Sequence, residues 1–245
     1  MQKRPILCIA GVGIIYSQSN PRCILAETKT PGYPMEAFVG AVSLIGGNWL
    51  GDNARKDENP LDTFRREVGE ELSPGRSAEG DELVMLGHAE TPNVAVARDR
   101  TMSTRGQEAL FDLKKTICTN AVPFGDFIDT ISPAYRKQGG YDFLASCWAV
   151  PLDYKEWMTL MRLQDAFRNL SNESATVITS LDEMINKGQK SAFGYDRLLQ
   201  RFWLAMGLTQ ARDLPMMEGN DCQPVGTAMA TYEDYLAVYD VAKKP

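Results

Sequence analysis

Four residues close together carry the clearest chemical signal in the chain: Arg66, Glu67, Glu70 and Glu71. On a helix, Glu67 and Glu71 are one turn apart and Glu70 is three positions from Glu67, so the carboxylates share about a third of the circumference. Like charges at this spacing repel by a few tenths of a kcal/mol, and Glu70 and Glu71 also sit near the negative end of the helix dipole. Local physics opposes the arrangement, as happens at functional sites. A hard divalent cation such as Mg²⁺ or Mn²⁺, which takes oxygen ligands, would relieve it; the alternative is a solvated acidic face.

The helix that would carry these groups is marked locally, over residues 58–74. Asn59 can cap the first free N–H groups, Pro60 suits the first helical position, and Asp62 adds negative charge in the first turn. Leu61, Phe64, Val68 and Leu72 recur at spacings of three and four, a stripe that faces a core. Pro74 and Gly75 end the pattern.

This stretch resembles the Nudix box, whose pattern is Gly, five residues, Glu, seven residues, then Arg-Glu-apolar-any-Glu-Glu-any-Gly-apolar. Glu58, seven intervening residues and Arg66-Glu67-Val68-Gly69-Glu70-Glu71 match its defined central positions. There are two departures. Asp52 stands where the leading glycine would be, and Gly47 is its natural equivalent, with ten residues before Glu58 in place of five, which reads as an inserted loop. Ser73-Pro74 replaces the terminal Gly-apolar pair, so the helix needs another cap.

The resemblance implies an α/β fold, a Nudix-like α/β/α sandwich with a mixed sheet, to which this chain adds inserted loops and a C-terminal helical extension outside the family's pattern. It also implies a hydrolase that cleaves a pyrophosphate bond in a nucleoside diphosphate linked to another group X, with Mg²⁺ or Mn²⁺ as cofactor. Carried over by position, Glu67 and Glu71 hold the metal, Glu70 binds a second ion or helps position water, and Arg66 orients a glutamate. Glu58 matches the family's earlier glutamate. Gly46 and Gly47 lie on the substrate side, and Trp49 in the inserted loop either stacks on a nucleobase or anchors the loop to the core. Asp142, Glu90 and Glu183 are candidates for a further acidic ligand or base. The alternative function is a Nudix-like sensor or regulatory module that binds a nucleotide without turnover, and a third is an interaction scaffold.

Composition bounds these readings. The chain of 245 residues, 44% of them hydrophobic, suits one elaborated domain, read as residues 1–206 with an extension over 207–245. A net charge of -6 argues against general affinity for nucleic-acid polymers, although a single nucleotide needs only a local basic pocket. Five scattered cysteines without a Cys-x-x-Cys pair argue against disulfides and a zinc knuckle. The basic start and apolar residues 5–16 superficially resemble a signal peptide, but the cleavage signal is poor and the run is β-branched, as in a buried strand. The expectation is a cytoplasmic protein with no membrane partner.

Along the chain, residues 6–16 and 23–27 read as a hairpin, with Gly11-Val12-Gly13 as strand packing or a bulge rather than a phosphate loop. Residues 37–45 read as a strand that delivers Gly46 and Gly47, and 82–88 and 141–150 as further strands. Arg98, Arg100 and Arg105, and Arg136 and Lys137, are either solvated or contact phosphates. The only histidine, His88, is read as structural. Helices are expected over 153–170, after Ser180, and over 191–206. A last helix over 231–244, with Tyr232, Tyr235, Leu236 and Tyr239 on one side, docks on the core or on a second subunit of a homodimer.

Overall fold

The fold turns on its first strand, whose residues are apolar on both faces, as expected where both faces are covered. The computed structural model describes residues 3–31, 33, 36–49, 57–73, 104–130, 142–167, 170, 174–208 and 221–241. In chain order its elements are β1 (Arg4–Ser17), β2 (Cys23–Thr28), β3 (Val42–Ser43), β4 (Ile45–Asn48), α1 (Pro60–Glu71), α2 (Thr104–Thr119), β5 (Val122–Thr130) and β6 (Asp142–Leu152). There follow α3 (Tyr154–Phe167), β7 (Ala175–Ser180), α4 (Leu181–Lys187), α5 (Tyr195–Ala205), β8 (Asp221–Gly226), α6 (Tyr232–Val238) and β9 (Tyr239–Val241).

Along one edge β1 runs parallel to β6, from Ile6 opposite Asp142 to Ser17 opposite Leu152. Its other edge is shared by three short partners: β9 in parallel at Arg4 to Ile6, β4 antiparallel at Ala10 to Gly13, and β2 antiparallel at Ile15 and Tyr16. Outside these lie β3 and β7 against β2, β5 against β6, and β8 against β5, which makes one large mixed sheet. Helices cover both faces. Val12, Ile14 and Tyr16 pack with Leu181, Met184, Leu198, Phe202 and Trp203 from α4 and α5. On the opposite face Ile15, Leu25, Ile45 and Trp148 meet α1, α2 and α3 through residues such as Phe64, Val68, Leu113, Ile117 and Leu160. Farther along that sheet, Ile6, Ile9 and Leu144 lie under Tyr232, Tyr235 and Tyr239.

The expected strand over 37–45 divides. A 3-10 turn at Glu36–Phe38 is followed by Gly40 at φ 79, and the chain then changes partner at Leu44: β3 pairs with β2, whereas β4 pairs with β1. The expected terminal helix stops at Val238 because the next three residues take an open edge of β1; Leu236 is exposed while Tyr232, Tyr235 and Tyr239 are buried. Arg105, read as part of a polar loop, is exposed in the first turn of α2. Both β8 and β9, from the segment after residue 206, join the same sheet. Among the described residues no helix is long and apolar enough to cross a membrane, and Cys8, Cys23, Cys118 and Cys147 form no disulfide. The expected strand over 82–88, His88, Glu90, Arg98, Arg100, Arg136 and Lys137 lie outside the described residues, as do residues 50–56 of the inserted loop.

Candidate active site

Helix α1 forms where its local signals place it. The Asn59 side chain accepts from the Asp62 N–H at 3.0 Å and Pro60 occupies the first turn. Phe64 and Val68 are fully buried against the sheet. The helix lies directly on β1 because two side chains are missing there: a Cβ on Gly11 would stand 2.0 Å from the Pro60 carbonyl oxygen, and one on Gly13 2.3 Å from the Phe64 ring. The glycine pair is therefore a packing device, as the sequence suggested.

This close approach brings the acidic face of α1 against β4. Glu71 accepts the Gly46 N–H at 3.0 Å, and a Cβ on Gly47 would come within 2.1 Å of Glu67 Oε1. Gly46 itself holds φ at 147°, a conformation that side chains disfavour. At the end of the helix, where the expected Gly-apolar pair is absent, the Ser73 hydroxyl donates to the Gly69 carbonyl at 2.5 Å and Lys114 of α2 donates to the same oxygen at 2.9 Å. Lys114 also puts a cation at the negative end of the helix dipole.

The repulsion expected among the carboxylates is answered unevenly. Arg66 Nη1 donates to Glu67 Oε1 at 2.7 Å and to Glu70 Oε2 at 3.0 Å, while its Nε donates to Asp57 Oδ2 at 3.0 Å. Asp57 in turn accepts from the Thr63 hydroxyl at 3.0 Å, so it is tied to the helix through two side chains. Glu71 is in a different setting: it is 5% exposed. Burial pushes its carboxyl well above the usual range, Glu27 and Glu67 push the same way, and Lys29 and the Gly46 N–H oppose them.

Glu27 is the acid that sequence reasoning missed. It is 1% exposed on β2, its Oε2 lies 3.5 Å from Lys29 Nζ, and its Oε1 is buried with no hydrogen-bond partner among the described residues. The signal that could have found it is its place two residues after Leu25, on the same face of a strand otherwise packed with apolar groups. Asp57 was likewise passed over as loop.

Trp49 stacks on Tyr232, with ring centroids 3.7 Å apart and planes 15° apart, and its backbone N–H donates to the Ile9 carbonyl at 2.8 Å. The Tyr232 hydroxyl hydrogen-bonds Thr63 Oγ1 at 2.5 Å, and its N–H donates to the Glu58 carbonyl at 3.2 Å, so α6 clamps the start of α1. Glu58 is exposed. Of the later acids considered, Asp142 pairs with Arg4 at 2.6 Å and Glu183 with Lys187 at 3.0 Å.

No protein-family model matches the chain, and no curated protein matches it. Among solved structures it is similar to a Nudix hydrolase from Alicyclobacillus acidocaldarius, at 13% identity over 87% of each chain, with a TM-score of 0.37. That likeness is too distant to assign chemistry, so the site rests on its own residues.

Among the described residues, no group of three or more His, Cys, Asp or Glu side chains is gathered where it could hold a metal ion. Glu67, Glu71 and Glu27 offer hard carboxylate oxygens of the kind that bind Mg²⁺ or Mn²⁺. The orphaned Glu27 Oε1 is an atom whose desolvation a cation would offset.

Proposed function

We propose that the protein is a metal-dependent hydrolase that cleaves a pyrophosphate bond in a nucleoside diphosphate linked to another group. The observation that carries this reading is the burial of Glu71 beside Glu27 and Glu67, on the helix whose residues 66–71 resemble the Nudix box. Buried carboxylates crowded in this way are costly unless a cation joins them.

Glu67 and Glu71 would hold Mg²⁺ or Mn²⁺, which supplies neutralisation of the pyrophosphate oxygens and a more acidic bound water. Arg66 orients Glu67 and Glu70 together through one guanidinium nitrogen. Glu70, with 46% of its side chain exposed, stands at the rim, where it can accept a proton from water. The Gly46 N–H fixes one Glu71 oxygen, and the bare Cα of Gly47 gives Glu67 its room. Gly46, Gly47 and Trp49 are the proposed substrate side, Trp49 being partly buried with its ring stacked on Tyr232. The substrate is a small molecule and the setting cytoplasmic.

The test is a panel of adenosine diphosphate sugars, dinucleoside polyphosphates, nucleoside triphosphates and nicotinamide dinucleotides, each with Mg²⁺ or Mn²⁺, followed by product analysis. At least one class should be cleaved between phosphates, and cleavage should stop in chelator. Measurable nucleotide binding with no turnover across the panel would replace this reading with the sensor.

A further inference from the structure

We propose that Glu27 is a ligand of the divalent cation together with Glu71, so that the ion is held between β2 and the inner end of α1 rather than on the outer face where Glu70 lies. The proposal rests on the hydrolase reading and names a ligand that the helix motif does not contain.

Placement comes first. Side chains two apart on a strand share a face, and Leu25 packs with Phe64, Val68 and Leu72 of α1 and its end. Glu27 is therefore directed to the α1 side of the sheet. It is not at an open edge, because β7 pairs with β2 from Cys23 to Thr28 and β3 pairs with Glu27 and Thr28 on the other side. This enclosure leaves the carboxylate 1% exposed.

Charge and hydrogen bonding come second. Lys29 reaches one Glu27 oxygen, at 3.5 Å, with its ammonium also 5.2 Å from the centre of the Tyr33 ring. The other oxygen, Oε1, is buried without a hydrogen-bond partner among the described residues. A buried polar atom with no partner calls for an ion or a water. Glu27 lies opposite Ser43 in the ladder, three residues before Gly46, whose N–H Glu71 accepts, so the two carboxylates flank the same short stretch of chain. Glu67 and Glu70, by contrast, already share Arg66.

Coordination chemistry comes third. Mg²⁺ ordinarily keeps several waters and takes only one or two carboxylates, with substrate phosphates completing its shell. Glu27 and Glu71 supply that number of direct carboxylates, and Glu67, tied to Arg66, would hold the ion through a bound water rather than as a third direct ligand.

The experiment is Mn²⁺ binding to the full chain, measured by calorimetry and by the metal-induced rise in melting temperature, for wild type, Glu27→Gln, Glu71→Gln and Glu70→Gln. Glu27→Gln and Glu71→Gln should each weaken Mn²⁺ binding at least about tenfold, the scale of losing a metal-site group, and lose most of the thermal gain. Glu70→Gln should stay within about threefold of wild type. Glu27→Asp guards against misfolding of Glu27→Gln: it keeps the charge but withdraws the oxygens by one methylene, and should also bind Mn²⁺ more weakly. Wild-type affinity in either folded Glu27 variant overturns the proposal and leaves a buried water as the partner of Oε1. That result spares the hydrolase reading, whereas a wild-type chain that binds no Mn²⁺ at millimolar concentration removes both.

Discussion

Of the acids buried among the described residues, Asp126 and Glu27 lie on either side of the central β1 and β6 pair, and the protein treats them differently. Asp126 on β5 is 2% exposed and accepts from the Tyr235 hydroxyl at 3.1 Å; that phenol oxygen also meets Ser146 Oγ at 3.1 Å and takes the Met229 N–H at 2.9 Å. The network fastens α6 to the sheet. Glu27 on β2 is buried as deeply, yet among the described residues it has a distant ammonium and an oxygen with no hydrogen-bond partner. Burial of an acid is common to a strut and a site. What separates them here is whether the fold supplies the donors.

The sharpest way to break this comparison is activity. With Mg²⁺ and a cleaved substrate, Glu71→Gln should lower kcat by about 10²-fold or more, the scale of charge-stabilising and acid–base groups. Asp126→Asn should leave kcat within about threefold, and a fall as large as that of Glu71→Gln would dissolve the distinction.

Stability gives the next largest effect, with the order reversed. Asp126→Ala removes the acceptor of the Tyr235 hydroxyl and should cost about 1–3 kcal/mol in urea unfolding. Glu27→Gln in chelator should stay within about 1 kcal/mol of wild type, because it gives up the Lys29 contact but removes a charge that repels Glu71. A larger loss from Glu27→Gln than from Asp126→Ala would mean that Glu27 is the strut.

The smallest effect is in pH dependence. Burial holds the Asp126 carboxyl above its ordinary value, against the opposing hydrogen bonds from Ser146 and Tyr235. The folded chain therefore binds that proton more tightly than the unfolded chain does. The resulting stabilisation is complete below the ordinary Asp value and is lost as pH rises through the raised one. Asp126→Asn should lack this decline, so the stability of wild type should fall relative to the variant across that window. Parallel curves would show that Asp126 is not the group responsible.

What could be read in the sequence was what local physics decides. The Asn59 cap, Pro60 and the stripe of Phe64, Val68 and Leu72 define α1 without help from the rest of the chain. The same holds for the Ser180 cap of α4, whose hydroxyl accepts the Glu183 N–H at 3.1 Å. Strands went unread or were misplaced where pairing decided: β3 and β4 divide because they serve different partners, and β9 replaces the end of a helix because β1 has an open edge. The apolar stripe of α2, Leu110, Leu113 and Ile117, is narrow among charged and polar residues. Glu67, Glu70, Glu71 and Arg66 were legible as neighbours, since a helix fixes their spacing. Glu27 was not, because a single acid before Thr28 and Lys29 looks like the solvated end of a hairpin until β3 and β7 enclose it.

The partners of β1 also set the tempo of assembly. Its residues bond to strands that begin at Cys23, Ile45, Asp142 and Tyr239, so its ladder is complete only when nearly the whole chain has been gathered. Loop closure over such separations must precede the gain from each pairing, and topologies of high contact order fold slowly. The hairpin of β1 and β2 and the nearby α1 can form from the first third of the chain. The parallel partners cannot. Newly made chains should therefore present the edges of β1 for longer than any other backbone in the sheet, and that is where misassembly would begin.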